Sequence, residues 1–158
     1  MIRTKFVTKF SGPAMLLIFG ALGTALILPT PAAFSSDKDD VPAHHTAPSK
    51  GALPNVLDAA QFKDGLTQNS YAMAAKIRPV LYEQPCYCFC DRTDSHTSLL
   101  DCFVGMHATT CNICRMEGIY AYEQTRMGQT PEQIRKAIIR GDWKKLNPKD
   151  YATVRDLK

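Results

Sequence analysis

The sequence predicts a small all-α domain in which four or five short helices surround an extended cysteine-rich loop. Apolar residues recur at helical spacing, and glycine, proline and capping residues stand where helices should begin and end. Outside the cysteine loop, no segment alternates apolar and polar residues over the length of a strand. All six cysteines lie between Cys86 and Cys114, so we expect them to share one local site.

The chain divides into three parts by composition. Residues 1–33 are typical of an export signal, with a cationic start, an apolar run over 13–28 and small residues at 31–33. The sequence leaves open whether the signal is cleaved or retained as a membrane anchor through residues 13–28. Residues 34–53 are polar and proline-rich, which predicts a flexible linker, and residues 54–158 form one helical cysteine-rich domain.

The net charge excludes some functions. Of the 19 basic residues, Arg3, Lys5 and Lys9 belong to the signal, so the remaining chain carries a net charge of about +1. No lysine and arginine stripe remains there, which argues against nucleic acid or a polybasic membrane patch. Its carboxylates are scattered, and we expect them on solvated helix surfaces.

Capping residues and breakers predict the first elements. Residues 58–62 form a short capped helix that Gly65 ends, and Ser70 caps a second helix that runs to Ile77. Pro79 bends or ends that second helix, because the residue before a proline is pushed out of the helical region. A brief turn then leads into the cysteine loop.

Longer helices follow the loop. Residues 98–105 are mostly apolar, which predicts a short buried helix, and Thr109 or Thr110 caps a longer helix that Gly128 stops. Thr130 opens the last helix with Pro131 after it, and Gly141 ends it. The tail should fold back onto the core through three side chains: Trp143, Leu146 and Tyr151.

The Cys-x-Cys-x-Cys triplet is predicted to be extended. Alternate side chains of an extended segment point to opposite sides, so its three thiols would share one face, with Tyr87 and Phe89 anchored on the other. Thiols two residues apart would then be separated by about 6.6 Å, too far for an unstrained disulfide. Any disulfide partners should therefore be the other three cysteines, Cys102, Cys111 and Cys114.

A thiophilic metal site is the first functional hypothesis. Thiolates with imidazole nearby favour Cu(I) or Zn, and His107 lies four residues before Cys111, where it can complete or orient the site. A single zinc ion would leave two cysteines spare, so a site with several ions or an iron–sulfur cluster stays open. The candidate metal ligands are Cys86, Cys88, Cys90, Cys102, Cys111, Cys114 and His107.

Two alternatives use the same cysteines. Cys111 and Cys114 lie at a helix start, where the dipole favours thiolate, so they are the candidate catalytic pair of a thiol–disulfide oxidoreductase. The second alternative is a structural disulfide framework that presents a binding surface. No other enzyme motif occurs, so a non-enzymatic role is favoured. His96 lies in a polar loop and is expected to be solvated.

The ordered cysteines and histidines resemble a known bacterial family. The chain is similar to the PCYCGC-motif family, also called the CYCXC family of (seleno)proteins. The similarity lies in the segment Pro85 to Cys90, in the later residues His96, Cys102, His107, Cys111 and Cys114, and in the helix that follows. The resemblance covers roughly residues 70 to 140. It implies an exported helical domain with a reactive or metal-binding chalcogen, since some relatives use selenocysteine. The chain departs from the pattern at Phe89, where glycine is usual.

Export places the protein in the periplasm or outside the cell. The expected partners are a metal ion and a protein that exchanges metal or electrons with the thiols. Contact with a membrane is expected only if the signal segment is retained.

Overall fold

The computed structural model describes residues 40–157, so the predicted signal and the first residues of the predicted linker lie outside the described part. Within it the chain forms helices and no β-strand, which confirms the all-α prediction. No helix between residues 40 and 157 combines the length and apolar character needed to cross a membrane. The helices are α1 (Gly65–Lys76), α2 (Arg78–Tyr82), α3 (Cys90–Thr93), α4 (Asp101–Val104), α5 (His107–Thr110), α6 (Asn112–Arg126) and α7 (Pro131–Ile139).

The seven helices of this range exceed the predicted four or five because three short helices, α2, α3 and α5, were not predicted, whereas α4 lies within the short helix predicted over residues 98–105. A four-residue helix is too short for apolar periodicity to reveal. Short 3-10 turns complete the fold at Ala59–Gln61, Asp142–Lys145 and Pro148–Tyr151. The first of these stands where a short capped helix was predicted.

Helix α1 begins earlier than predicted. The Asp64 carboxylate accepts a hydrogen bond from the Thr67 N–H at 2.8 Å and caps the helix, so Gly65 starts α1 and does not end an earlier helix. Ser70, the predicted cap, lies inside the helix and donates to the Thr67 carbonyl. A Cβ at Gly65 would lie 1.9 Å from the Ala152 carbonyl oxygen. Close approach of the C-terminal segment therefore explains this glycine.

The predicted start of α7 is confirmed. The Thr130 hydroxyl accepts from the Gln133 N–H at 3.3 Å, and the Gln133 side chain accepts from the Thr130 N–H at 2.8 Å, which completes a capping box. Gly128 and Gly141 follow the two long C-terminal helices with φ angles of 82° and 80°, values that glycine adopts readily.

Helix α6 is the central element of the core. It packs along α1, and its inward face from Cys114 to Tyr122 is buried. Gly118 allows α4 to approach, because a Cβ there would lie 2.6 Å from the Phe103 ring. Trp143 and Tyr151 are buried as predicted. The bundle thus carries α4 and the start of α6, both of which bear cysteines, on one rigid core.

Residues 40–53, within the predicted linker, have no helix longer than a turn, but part of this segment contacts the domain. The His45 ring stacks on Tyr82 with 3.8 Å between centroids, and Arg135 donates to the His45 carbonyl at 3.3 Å. The Ala43 N–H donates to an Asp91 carboxylate oxygen at 3.0 Å. These bonds hold residues 43–45 beside the cysteine-bearing loops.

Candidate metal centre

The Cys86–Phe89 segment is a tight turn and not the predicted extended segment. The Phe89 N–H donates to the Cys86 carbonyl at 3.1 Å, and Phe89 has left-handed backbone angles, φ 58° and ψ 33°. The turn folds the chain back on itself, so the Sγ atoms of Cys86 and Cys88 lie 3.4 Å apart. The separation of about 6.6 Å expected for an extended segment therefore does not occur.

Two side chains, one buried and one half-buried, hold the segment before this turn. The Gln84 amide donates to the carbonyls of Val80 at 2.9 Å and Pro131 at 3.2 Å. Arg135 on α7 donates to the Glu83 carbonyl at 3.1 Å and lies 3.7 Å from its carboxylate. The start of the cysteine loop is thereby fixed to α2 and α7.

The remaining donors come from four other places in the fold. Cys90 begins α3, Cys102 lies in α4, and His107 begins α5. Cys111 precedes the first residue of α6 as its N-cap, a position predicted for a threonine, and Cys114 lies in the first turn of that helix. The structure thus brings all seven sequence-predicted residues into one neighbourhood.

The sulfur atoms are in contact but not bonded. Cys86 and Cys114 have Sγ atoms 3.4 Å apart, and the Sγ of Cys88 lies 3.5 Å from that of Cys114. Cys90 and Cys102 form a further contact at 3.4 Å. A disulfide bond is about 2.05 Å long. All six cysteines are free thiols, as the distances require.

Two histidines join the thiols. His107 Nε2 lies 3.6 Å from the Cys88 sulfur, and His96 Nδ1 lies 3.5 Å from the Cys102 sulfur. The two rings meet edge to face at 4.9 Å between centroids. The prediction that His96 is a solvated loop residue is therefore wrong. His96 belongs to a group of side chains that we call the cysteine–histidine cluster: the six cysteines, His96 and His107.

His96 was missed because its role depends on the loop after α3 turning back towards α4. The Cys90 carbonyl accepts hydrogen bonds from the Asp94 N–H at 2.8 Å and the His96 N–H at 3.4 Å. Ser95 between them has a φ of 58°. No residue spacing in the sequence predicts such a turn.

The donor atoms fall into two groups of four, each with all atoms within 4.8 Å of one another. The outer donor set consists of Cys88, Cys111, Cys114 and His107, and the inner donor set of Cys90, Cys102, His96 and His107. Cys86 belongs to two further groups, one with Cys102 and Cys114 and one with Cys88 and Cys90. Either four-donor set has the number and type of ligands that a tetrahedral zinc site uses.

Crowding separates the pKa values of the thiols, because six thiolates cannot share one low-dielectric pocket. Contacts with neighbouring thiols, of which the contact with Cys102 has the largest effect, lower the pKa of Cys88 and lower the pKa of Cys90 to about 3. Contacts with neighbouring thiols raise the pKa of Cys114, and the contact with Cys102 again has the largest effect. Negative charge therefore concentrates on Cys88 and Cys90.

The predicted redox pair does not show the expected thiolate character. The contact with Cys114 lowers the pKa of Cys111, but the contact with Cys88 and burial outweigh it, so the pKa is raised. The pKa of Cys114 is raised as well. Neighbouring sulfurs and burial thus outweigh the helix start that led to the prediction of a low pKa.

His107 is influenced from two sides. Burial lowers its pKa, but the contact with Cys88 and the charges nearby outweigh burial and raise it. Its Nδ1 lies 3.7 Å from an Asp94 carboxylate oxygen, so the ring can face sulfur with one nitrogen and a carboxylate with the other. Carboxylates in this position commonly orient histidine ligands of metals.

Glu117 is a buried neighbour of the cluster that the sequence did not single out. Its side chain is fully buried and accepts the Tyr87 N–H at 3.0 Å. Burial raises the pKa of Glu117 to about 8, although the Tyr87 N–H and Cys86 act in the opposite direction. The group is therefore mostly protonated at neutral pH and adds little charge to the thiols. Its spacing of three residues from Cys114 on α6 was the available signal.

Fold and site define a helical, cysteine-rich domain built around a thiol–imidazole cluster. The family described as "protein of unknown function with PCYCGC motif" matches residues 32–149, and the chain belongs to this family. No curated protein and no solved structure matches the chain. The left-handed backbone at Phe89 gives a physical reason for glycine in the motif that names the family, since glycine alone adopts this conformation without steric cost.

Proposed function

We propose that this protein binds a thiophilic metal ion, Cu(I) or Zn, through the cysteine–histidine cluster. The observation that carries the proposal is the convergence of free thiols and imidazoles from six places in the fold into four-donor sets. Sulfur contacts of 3.4 and 3.5 Å are slightly shorter than the edge of about 3.8 Å in a tetrahedral site with 2.3 Å bonds. A small outward movement of the thiols would accommodate an ion.

The chemistry of the donors selects the class of ion. Among residues 40–157, every candidate group of donors consists of cysteine and histidine alone, although aspartate and glutamate also offer ligand atoms. Thiolate and imidazole suit Zn and Cu(I), whereas Mg²⁺ and Ca²⁺ require oxygen ligands. The buried Glu117 is mostly protonated at neutral pH and leaves the thiols as the charged donors.

Metal analysis of anaerobically purified protein, combined with thiol counting, tests this function. We expect near-stoichiometric metal that is lost when the thiols are alkylated. Cys88→Ser should lower the metal content, because Cys88 belongs to the outer donor set and contacts two other sulfurs. Ser49→Ala is the control, since Ser49 bonds to Gly51 and belongs to none of the donor sets. Metal-free protein with six reduced thiols that binds no added Zn or Cu(I) would refute the proposal.

Thiol–disulfide exchange is the second candidate function, and one observation favours it. Cys88 is half-buried, has a lowered pKa and contacts both Cys86 and Cys114, so a mixed disulfide on Cys88 could be resolved by a neighbour. The same preparation distinguishes the two functions. Metal-free protein with one readily reduced disulfide would support redox exchange, and three reduction-resistant disulfides would support a structural framework.

Export is part of the proposal and is supported by the cationic and apolar pattern of residues 1–33. The protein would then act in the periplasm or outside the cell, with a metal-delivery or redox protein as its partner. N-terminal sequencing of the mature protein from fractionated cells would show whether the signal is removed. An intact N-terminus in the cytosolic fraction would contradict export.

A further inference from the structure

The two four-donor sets overlap in one residue, His107, and otherwise use different ligands. Six thiols exceed what one tetrahedral ion can bind. A single ion in the outer donor set leaves the Cys90 and Cys102 thiols and His96 within 4.8 Å of one another, which is a chelating arrangement of its own. The number and grouping of donors therefore suit two ions better than one.

Cys86 lies between the two sets. It shares one group with Cys88 and Cys90 and another with Cys102 and Cys114, and each of these pairs takes one member from each set. The Cys86 side chain is almost completely buried, so it faces the other sulfurs and not solvent. A thiolate sulfur carries several lone pairs, and one sulfur in this position can bind both ions.

The two sets differ in access to solvent. In the outer donor set Cys88, Cys111 and His107 are half-buried, and only Cys114 is buried. In the inner donor set both cysteines are buried, and its two histidines are half-buried. Pro42 and Ala43 line a recess with Cys86, Cys90 and His96 that leaves no room for a water molecule.

The cover over the inner set is held by specific bonds. The Ala43 N–H donates to Asp91, the residue after Cys90, at 3.0 Å. Next to it, Arg92 forms an ion pair of 2.5 Å with Asp40. The segment that contains Pro42 is thus fixed at two points to α3, the helix that begins with Cys90. Among the cysteines, only Cys88 and Cys111, both of the outer set, are partly exposed to solvent.

We propose that the cluster holds two thiophilic ions bridged by the Cys86 thiolate, with an exchangeable ion in the outer donor set and a retained ion in the inner donor set. His107, whose Nε2 faces Cys88, would bind the outer ion, and Cys86 would be the fourth ligand of the inner ion. This inference rests on the proposed metal-binding function. Each aqua ion would lose water as the thiols that bind it release their protons to the buffer, with no change of oxidation state. The outer site would be the one from which an acceptor protein takes metal.

Zinc titration of reduced, metal-free protein tests the number of ions. Native mass spectrometry should show two zinc ions at saturation. Binding of no zinc or Cu(I) would refute the proposed function itself, whereas saturation at one ion would leave that function intact and refute the two-ion centre. Wild-type protein is sufficient for this test, so it does not depend on whether a variant folds.

Transfer of zinc to a chromogenic chelator tests whether the two ions leave the protein at different rates. We expect two phases, with one ion leaving at least tenfold faster than the other, and loss of both ions in a single phase would overturn the assignment. Cys111→Ser changes only the outer set and should abolish or accelerate the fast phase while one ion stays retained. Cys90→Ser changes the inner set and should remove the slow phase. The opposite assignment of phases to variants would also overturn the proposal.

Discussion

The Glu117 carboxyl group accepts the backbone N–H of Tyr87 at 3.0 Å and thereby ties the Cys-x-Cys turn to the central helix of the bundle. This bond connects the first cysteine segment to α6, on which Cys114 lies one helical turn before Glu117. The carboxyl is fully buried. Its protonation and the stability of the site are therefore linked.

The first prediction concerns pH. Burial raises the pKa of Glu117 from 4.5 to about 8 in the folded protein, so its contribution to stability is complete below pH 4.5 and is lost as the pH rises towards 8. For reduced, metal-free protein we expect this group alone to lower the free energy of unfolding by about 3 kcal/mol between about pH 4.5 and about pH 7.5. The lowered pKa values of Cys88 and Cys90 act in the opposite direction over the same range. Urea unfolding of the wild type and of a variant without this carboxyl, at several pH values, measures the fall as the difference between the two proteins.

Glu117→Gln is the matched variant for this prediction. Glutamine retains an acceptor for the Tyr87 N–H but does not ionise, so this part of the pH dependence should disappear. A wild-type and a variant protein with the same pH dependence would show that Glu117 does not titrate in this range.

The second prediction concerns the left-handed residue of the turn. Phe89→Gly and Phe89→Ala remove the same ring, which stacks with the Arg92 guanidinium at 4.1 Å, but only glycine relieves the backbone at φ 58°. We expect the Gly variant to be about 1 kcal/mol more stable than the Ala variant. Thermal unfolding of both variants provides the measurement. An Ala variant as stable as the Gly variant would mean that residue 89 does not hold this conformation.

The third prediction concerns the packing of α4 on α6. In Gly118→Ala the new Cβ would lie 2.6 Å from the buried Phe103 ring. Overpacking costs about 1 to 3 kcal/mol, and alanine gains about 1 kcal/mol in helix propensity, so we expect a net loss of about 1 kcal/mol. Metal affinity should fall as well, because Cys102 is the neighbour of Phe103.

Gly105→Ala is the control for the packing prediction, since nothing lies within 4 Å of a Cβ at that position. It should leave both stability and metal binding close to those of the wild type. If Gly118→Ala behaves in the same way, α4 does not pack on α6 as closely as described.

The fourth prediction concerns His96. Because its Nδ1 lies 3.5 Å from the Cys102 sulfur, His96→Ala should weaken zinc binding by roughly tenfold or more, with little change in helix content. Competition with a chelator of known affinity measures the first quantity and circular dichroism the second. Retention of wild-type zinc affinity would remove His96 from the site.

Local signals predicted a large part of the molecule. Thr130 and Gln133 predicted the start of α7, because a capping box depends on two residues three positions apart. The single-turn helices α3 and α5 escaped prediction because four residues do not display a period. Ser70 was mistaken for a cap because Asp64, six residues earlier, competes for the same role and has the hydrogen bond to Thr67.

The candidate site shows the same division between local and distant information. The sequence by itself determined that six cysteines and His107 concentrate in one segment of a helical domain, since residue types and spacings are properties of the chain. Only the tertiary structure decided that the triplet folds into a turn, that His96 joins the donors and that Glu117 is buried beside them. The physical reason is that sulfur contacts, burial and pKa values depend on segments distant in sequence, which meet only when α4 and α6 pack together.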